Sequence, residues 1–417
     1  MLLAFDHCDM IVNSVASDAL LDHSSLSIDA ALVLCCATTA ATVERTAMAT
    51  DLAARVRDWD TVIGIAERHS VLALVHRYLS LECSAAVPAG AMAKLRTKWQ
   101  FIAVYNRHLT AELVRLTGLL RSANIAAVAF KGPVLAAMAY GSIDLRQFVD
   151  LDLLVRQSDL PRVAEILTAE RYLSPHTWRE GLATNYFQEC EDAFFSAGGM
   201  GAVDVHWKIT PRSFRFAPDE ESFWRRARAV ELESGTVDAI APEDLLLYTC
   251  VHAAKHGWVQ LGSICDVAET IRTRPAIDLM AILDEATTLG SRRMFLTGIY
   301  LAHELGGAPV PEGLIEIARN DRAVQALAGR VARQLFSGTG PGHTHFDPWA
   351  VPIRSIEGTR ARIHYVVHRT LAPTMGDYEL IRLPRSMFPL YWAIRPFRMA
   401  AQYGPRLLRG SSSNANT

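Results

Sequence analysis

The chain has 417 residues, half of them hydrophobic, with 42 basic and 44 acidic side chains and a formal net charge of -2. Those values describe a globular protein of two or three structural units with a substantial core. They give no general electrostatic case for a nucleic-acid partner.

The N-terminal stretch MLLAFDHCDMIVNS lacks the basic region of a signal peptide. Residues 28–43 are apolar but fall short of the ~20 residues a membrane helix needs, so a buried helix is expected and no membrane span. The cysteines, Cys8, Cys35, Cys36, Cys83, Cys190, Cys250 and Cys265, form no Cys-x-x-Cys pair. They read as reduced, mostly buried thiols of a cytoplasmic protein. Residues 1–122 read as an N-terminal helical region. Residues 59–79 show apolar spacings of three and four, and residues 93–124 form a long amphipathic pattern.

The pattern then changes. Residues 125–130 are short and apolar, as in a buried strand. Lys131-Gly132-Pro133 breaks the run, and Pro133 suits the first turn of a helix reaching Tyr140. Residues 148–155 read as the next strand and 160–173 as a helix, capped by Ser158 or Asp159. Residues 192–209 read as two strands joined at Gly198-Gly199. This makes an α/β core over 123–210. A C-terminal helical region follows over 211–340, with Pro242-Glu243-Asp244 as a helix start. A loop and basic extension take up 341–410, with six arginines and no acid after Glu379. That extension mixes aromatic and cationic residues, and packs on the core, on an acidic peptide or on a membrane surface. Residues 411–417 are expected to be disordered. The fold class predicted is α+β, a small mixed β-sheet core flanked by helical regions.

Two aspartates interrupt the apolar strand at 148–155. Asp150 and Asp152 point to one face, ~7 Å apart at ~3.3 Å rise per residue, and Leu151, Leu153 and Val155 point to the other. Close carboxylates raise each other's pKa unless a cation intervenes, and carboxylate oxygens favour Mg²⁺ or Mn²⁺. A solvated edge-strand face is the other reading of such a pair. Gly132 lets the backbone approach an anion, and Lys131 supplies a point charge for phosphate. Arg146 either pairs with a carboxylate or supports a phosphate. Asp204, in Val203-Asp204-Val205-His206-Trp207, offers a third carboxylate on a neighbouring strand, and His206 stands two residues on.

As an ordered set these residues resemble the polymerase-β-like nucleotidyltransferase superfamily, in which a glycine turn precedes a strand carrying Asp-x-Asp. The closer resemblance is to a bacterial family of uncharacterised nucleotidyltransferases. It rests on Phe130-Lys131-Gly132, Tyr140-Gly141, Arg146, Asp150-Leu-Asp152, Arg171-Tyr172, Val203 to Trp207, Pro242-Glu243-Asp244, His252 to Trp258, and Asp266. It spans about residues 59–271. The usual turn of the superfamily is Gly-Ser or Gly-Gly. Here Pro133 removes an N–H and no hydroxyl is present, which leaves Lys131 as the substitute phosphate ligand.

The resemblance implies Asp150, Asp152 and Asp204 as catalytic metal ligands for Mg²⁺ or Mn²⁺. It implies Lys131, Gly132, Arg146, His252 and His256 as nucleotide-binding residues, with Asp266 as an orienter of the histidines. An NTP is then substrate. Members of the family occur beside genes for modified peptides, lasso peptides among them, which puts a peptide among the candidate acceptors. His252 and His256 share a helix face four residues apart, but no glutamate lies between them, as a zinc protease would require. The expected reaction is transfer of a nucleoside monophosphate to an acceptor hydroxyl. Phosphoryl transfer at the same metal site and a non-catalytic peptide-binding scaffold are the alternatives.

Overall fold

The computed structural model describes residues 26–174, 190–211, 213, 214, 216, 218–336 and 350–411. Cys8, the N-terminal stretch, the 337–349 loop with His343 and His345, and residues 412–417 lie outside the described residues.

The N-terminal region is helical: α1 (Ile28–Cys36), α2 (Val43–Arg55), α3 (Trp59–Arg68), α4 (Leu72–Glu82) and the long α5 (Ala89–Ser122). The periodic pattern at 59–79 is two helices rather than one. Ser70 takes the left-handed conformation, φ +57°, and the break is a docking point. The His69 carbonyl accepts the Gly262 N–H at 2.9 Å, and the His69 ring nitrogen accepts Leu261 N–H at 3.3 Å. Tertiary contact has overridden local periodicity here.

The centre is a mixed sheet. Its strands are β1 (Ala127–Ala129), β2 (Asp150–Val155), β3 (Tyr172–Leu173), β4 (Glu191–Ser196), β5 (Ala202–His206), β6 (Arg228–Leu232) and β7 (Gly235–Ala239), in the order β3-β4-β5-β2-β1-β7-β6. β5 runs parallel to β2, and β1 runs antiparallel to it. Between β1 and β2 lies α6 (Gly132–Tyr140), with Pro133 in its first turn and Gly141 at φ +67° closing it. α7 (Leu160–Ala169) is shorter than the pattern at 160–173 suggests, because Arg171 turns left-handed at φ +63° and Tyr172 joins the sheet opposite Ser196. The hairpin β6–β7 was not legible as strand in the region assigned to C-terminal helices. It joins the same sheet, where β7 pairs with β1 at Ala129 and Ala239.

After α8 (Glu220–Arg226), the C-terminal region continues as α9 (Pro242–Lys255), α10 (Leu261–Thr273), α11 (Leu279–Thr288), α12 (Arg292–Glu304), α13 (Glu312–Asn320), α14 (Arg322–Phe336) and α15 (Ala350–Ser355). The extension forms α16 (Thr359–Leu371), α17 (Met375–Leu380) and α18 (Tyr391–Ser411). One hydrophobic core runs through the helices and the sheet, and a second small cluster, Tyr378, Phe388 and Tyr391, belongs to the extension. Among the described residues no helix is long and apolar enough to cross a membrane. The described cysteines are all buried and free.

Packing of α12 on α9 is close enough to demand glycine. A Cβ at Gly298 would lie 2.6 Å from Cys250 Sγ and 3.0 Å from Trp258. Alanine gains up to ~1 kcal/mol of helix propensity, but overpacking a filled core costs ~1–3 kcal/mol. Gly298→Ala is therefore expected to lower stability, and a urea melt showing a raised midpoint would refute this account of the contact.

Candidate active site

Strand register builds the site. In β2, Asp150 and Asp152 share a face while Leu151, Leu153 and Val155 are buried on the other. β5 sets Asp204 opposite Asp152 and His206 opposite Leu154. β4 adds Glu191 opposite His206. Paired residues share a face of the sheet, so three aspartates, a histidine and a glutamate form one polar strip.

The turn after β1 closes onto this strip. Gly132 is left-handed at φ +51°, and a Cβ there would sit 3.1 Å from the Asp150 carbonyl oxygen. Glycine meets both demands. Lys131 beside it places Nζ 2.5 Å from Asp152 Oδ1. Below the lysine, the Phe130 ring stands edge-on to His206 and Tyr248, with centroids 4.8 and 5.3 Å away.

The Asp152 side chain is 1% exposed. Its Oδ1 takes Lys131 and lies 3.1 Å from His206 Nε2. Its Oδ2 is buried with no hydrogen-bond partner among the described residues. Such an atom is costly unless something else satisfies it. Ligand atoms of Asp152, Asp204 and His206 lie within 4.8 Å of one another, as do those of Cys190, Glu191 and His206. The first set, with Asp150 next to it on the strand, has the oxygen-rich chemistry of a hard divalent ion. Glu191 Oε2 is 3.0 Å from His206 Nδ1, yet that nitrogen makes no hydrogen bond. The direction is wrong for donation, so the contact is electrostatic.

The charges are unevenly compensated. Burial opposes ionisation of Asp152, but Lys131 and then His206 hold its pKa well below the usual carboxylate range. Burial, and secondarily the Asp152 charge, raises Asp150. Burial, then Asp152 and Asp150, push Asp204 up to about 6. Lys131 satisfies one carboxylate and leaves two in mutual repulsion.

Arg146 is held elsewhere. Its Nε and Nη2 donate to Asp266 Oδ1 and Oδ2 at 2.8 and 3.0 Å, and Tyr140 Oη donates to Oδ1 at 2.7 Å. Asn106 of α5 braces the loop by donating to the Ile143 and Arg146 carbonyls at 2.5 and 2.8 Å. Arg146 thus acts on the strip through its field, lowering the Asp150 pKa. Asp266, expected to orient the histidines, orients Arg146 instead. His252 lies 3.2 Å from Tyr248 Oη through Nδ1, with its ring 4.5 Å from that of His256. Burial first, then neighbouring cations, lowers the pKa of half-buried His252 well below normal, and the cations around His256, at the more open end of α9, shift it in the same direction. Both are neutral at pH 7 and offer hydrogen bonds rather than charge. Glu191 and Tyr248 escaped the sequence reading. Alternation along β4 was the one available signal for Glu191, and it needs the β4–β5 register to mean anything.

A family model described as uncharacterised nucleotidyltransferase matches residues 55–307. No curated protein matches the chain.

Two outcomes follow from these contacts. The folded pKa of Asp204 lies above its unfolded value, so its contribution to stability is full below pH ~4 and is lost as pH rises through 6. Asp204→Asn is expected to stabilise the metal-free protein at pH 7 by ~1–2 kcal/mol, allowing for partial exposure, with no gain at pH 4. Chemical denaturation in chelator at the two pH values measures this, and equal effects at both would contradict it. Asp266→Ala strands the buried Arg146 charge and should cost ~3–5 kcal/mol. A loss below 1 kcal/mol in the same assay would mean the arginine finds another partner.

Proposed function

The chain belongs to the uncharacterised nucleotidyltransferase family, and from that premise we propose that it moves a nucleoside monophosphate from an NTP to an acceptor hydroxyl. The observation that carries this reading is the grouping of Asp152, Asp204 and His206, with Asp150 on the same strand face, beside a buried Asp152 oxygen that no described protein group satisfies. A Mg²⁺ or Mn²⁺ ion held by these aspartates supplies charge neutralisation at the phosphates and lowers the pKa of an acceptor hydroxyl.

The chain's own groups divide the remaining work. Lys131 offers its ammonium to a non-bridging phosphate oxygen, and Gly132 allows the backbone close to it. The acceptor oxygen bonds to the α-phosphorus, and the bond to the β-phosphate bridge breaks. The electron pair leaves with pyrophosphate. Asp204, which β5 sets beside Asp152, accepts the acceptor's proton on a carboxylate oxygen. Arg146, fixed by Asp266, keeps positive potential behind Asp150 without touching substrate. The neutral His252 and His256 wall the site and serve as hydrogen-bond partners. A hydroxyl on a peptide is one acceptor this arrangement admits.

Thermal unfolding with each NTP, with and without Mg²⁺, tests the reading. Ligand at about a hundredfold excess over its Kd should stabilise the wild type by ~2.7 kcal/mol. Asp152→Asn, less stable because Lys131 loses its counter-charge, should lose the Mg²⁺-dependent part of the shift measured from its own baseline. Turnover with an α-labelled NTP should leave label on the acceptor and release pyrophosphate. Nucleoside diphosphate as product would instead mean phosphoryl transfer. Undiminished turnover in Asp152→Asn would sink the assignment of the site.

A further inference from the structure

Beyond His206 and Glu191, at the end of the polar strip away from Gly132, the structure opens into a cavity of about 310 Å³. Its walls come from two parts of the chain. Cys190, Glu191, Lys255 and His256 belong to the stretch matched by the family, whereas Tyr365, His368, Arg369, Thr374 and Arg395 belong to the extension beyond residue 307. Phe214 and Tyr365 meet edge to face across the join, 5.7 Å between centroids.

The lining is cationic. Among the described lining residues, Lys255, Arg369 and Arg395 stand with one carboxylate, Glu191. That carboxylate is itself engaged by His206, at 3.0 Å. Arg395 donates to Thr374 Oγ1 at 2.8 Å and shares Asp377 with Arg398. Lys255 makes no ion pair among the described residues. Arg369 is close enough to His256 to help lower its pKa. The cavity is joined to the candidate metal site by a short chain of contacts, Glu191 to His206 and His206 to Asp152.

We propose that this cavity is an anion subsite for the acceptor. It takes a phosphate or carboxylate group carried by the acceptor and so aims the acceptor's hydroxyl at the aspartates. This rests on the nucleotidyltransferase reading given above. Three observations separate it from the nucleotide's own phosphates. The Lys131–Gly132 turn adjoins Asp150, at the opposite end of the strip. The His206 side chain stands between Asp152 and Glu191 of the cavity wall. Five of the twelve lining residues come from the extension, outside the family match, so that the cavity selects a group other than the shared NTP.

Isothermal titration of inorganic phosphate into the full-length protein at low salt tests the subsite, with magnesium–NTP stabilisation measured beside it. Lys255→Gln and Arg369→Gln should each weaken phosphate binding by about tenfold or more, with the NTP-dependent stabilisation unchanged. Lys255 is partly exposed on a helix end, so its variant remains informative if Arg369→Gln disturbs the extension. Phosphate binding that is absent in the wild type, or unaltered in both variants, overturns the proposal. Loss of NTP stabilisation together with phosphate binding also overturns it, and gives the cavity to the nucleotide. Phosphate binding through Lys255 and Arg369 in a protein that no magnesium–NTP stabilises refutes the nucleotidyltransferase reading and the word acceptor, and leaves an anion site.

Discussion

The buried charge of Asp152 is the constraint around which this structure is arranged. A carboxylate at that depth is tenable only with a cation against it, and Lys131 is that cation. The pair fixes where β1 must end, because the lysine has to leave the strand within reach of β2. It also fixes the turn that follows, where Gly132 lies against the Asp150 carbonyl. Phe130, locked under the lysine by His206 and Tyr248, completes the anchor. Buried ion pairs of this kind contribute little net stability. Their effect is geometric, and here they hold one carboxylate ionised beside two that are pushed toward protonation.

A second ring of contacts carries that geometry outward. Arg146, Asp266 and Tyr140 link the loop before β2 to α10 and α6. Asn106 links the same loop to α5. These helices are therefore more than packing. They hold the loop, and the loop places Arg146's field behind Asp150. The source of that field lies outside the sheet, in the loop that α5 and α10 hold.

Much of this was legible in the sequence, for particular reasons. Asp150 and Asp152 interrupt an apolar run at period two, so their shared face follows from strand geometry alone. Lys131-Gly132-Pro133 marks a strand-to-helix turn by its chemistry. What could not be read depends on register or on distant partners. Glu191 joins the strip because it pairs with His206, and nothing local says so. Arg146 presents the same letter whether it meets phosphate or Asp266, and burial of Asp266 on α10 decides between them. The β6–β7 hairpin alternates, with Glu233-Ser234 at its turn, but its strands are five residues each and close to half polar. Their pairing with β1 is a tertiary event. Ser70 breaks a helical pattern for a similar reason, since α10 docks at the break.

Glu269, on α10, accepts from Thr38 Oγ1 at 3.1 Å and from Thr39 N–H at 3.0 Å. The groups joined by the first of these bonds are 231 residues apart. On a ribosome adding roughly 5–20 residues per second, the N-terminal helices must wait roughly ten to fifty seconds for that partner. During the wait the apolar run of α1, with Leu32, Val33 and Leu34, has only α2, α3 and α4 to pack on. Synthesis of this protein is thus a problem of keeping its first helices covered until its eleventh-hour partner arrives, and slower translation lengthens the exposure.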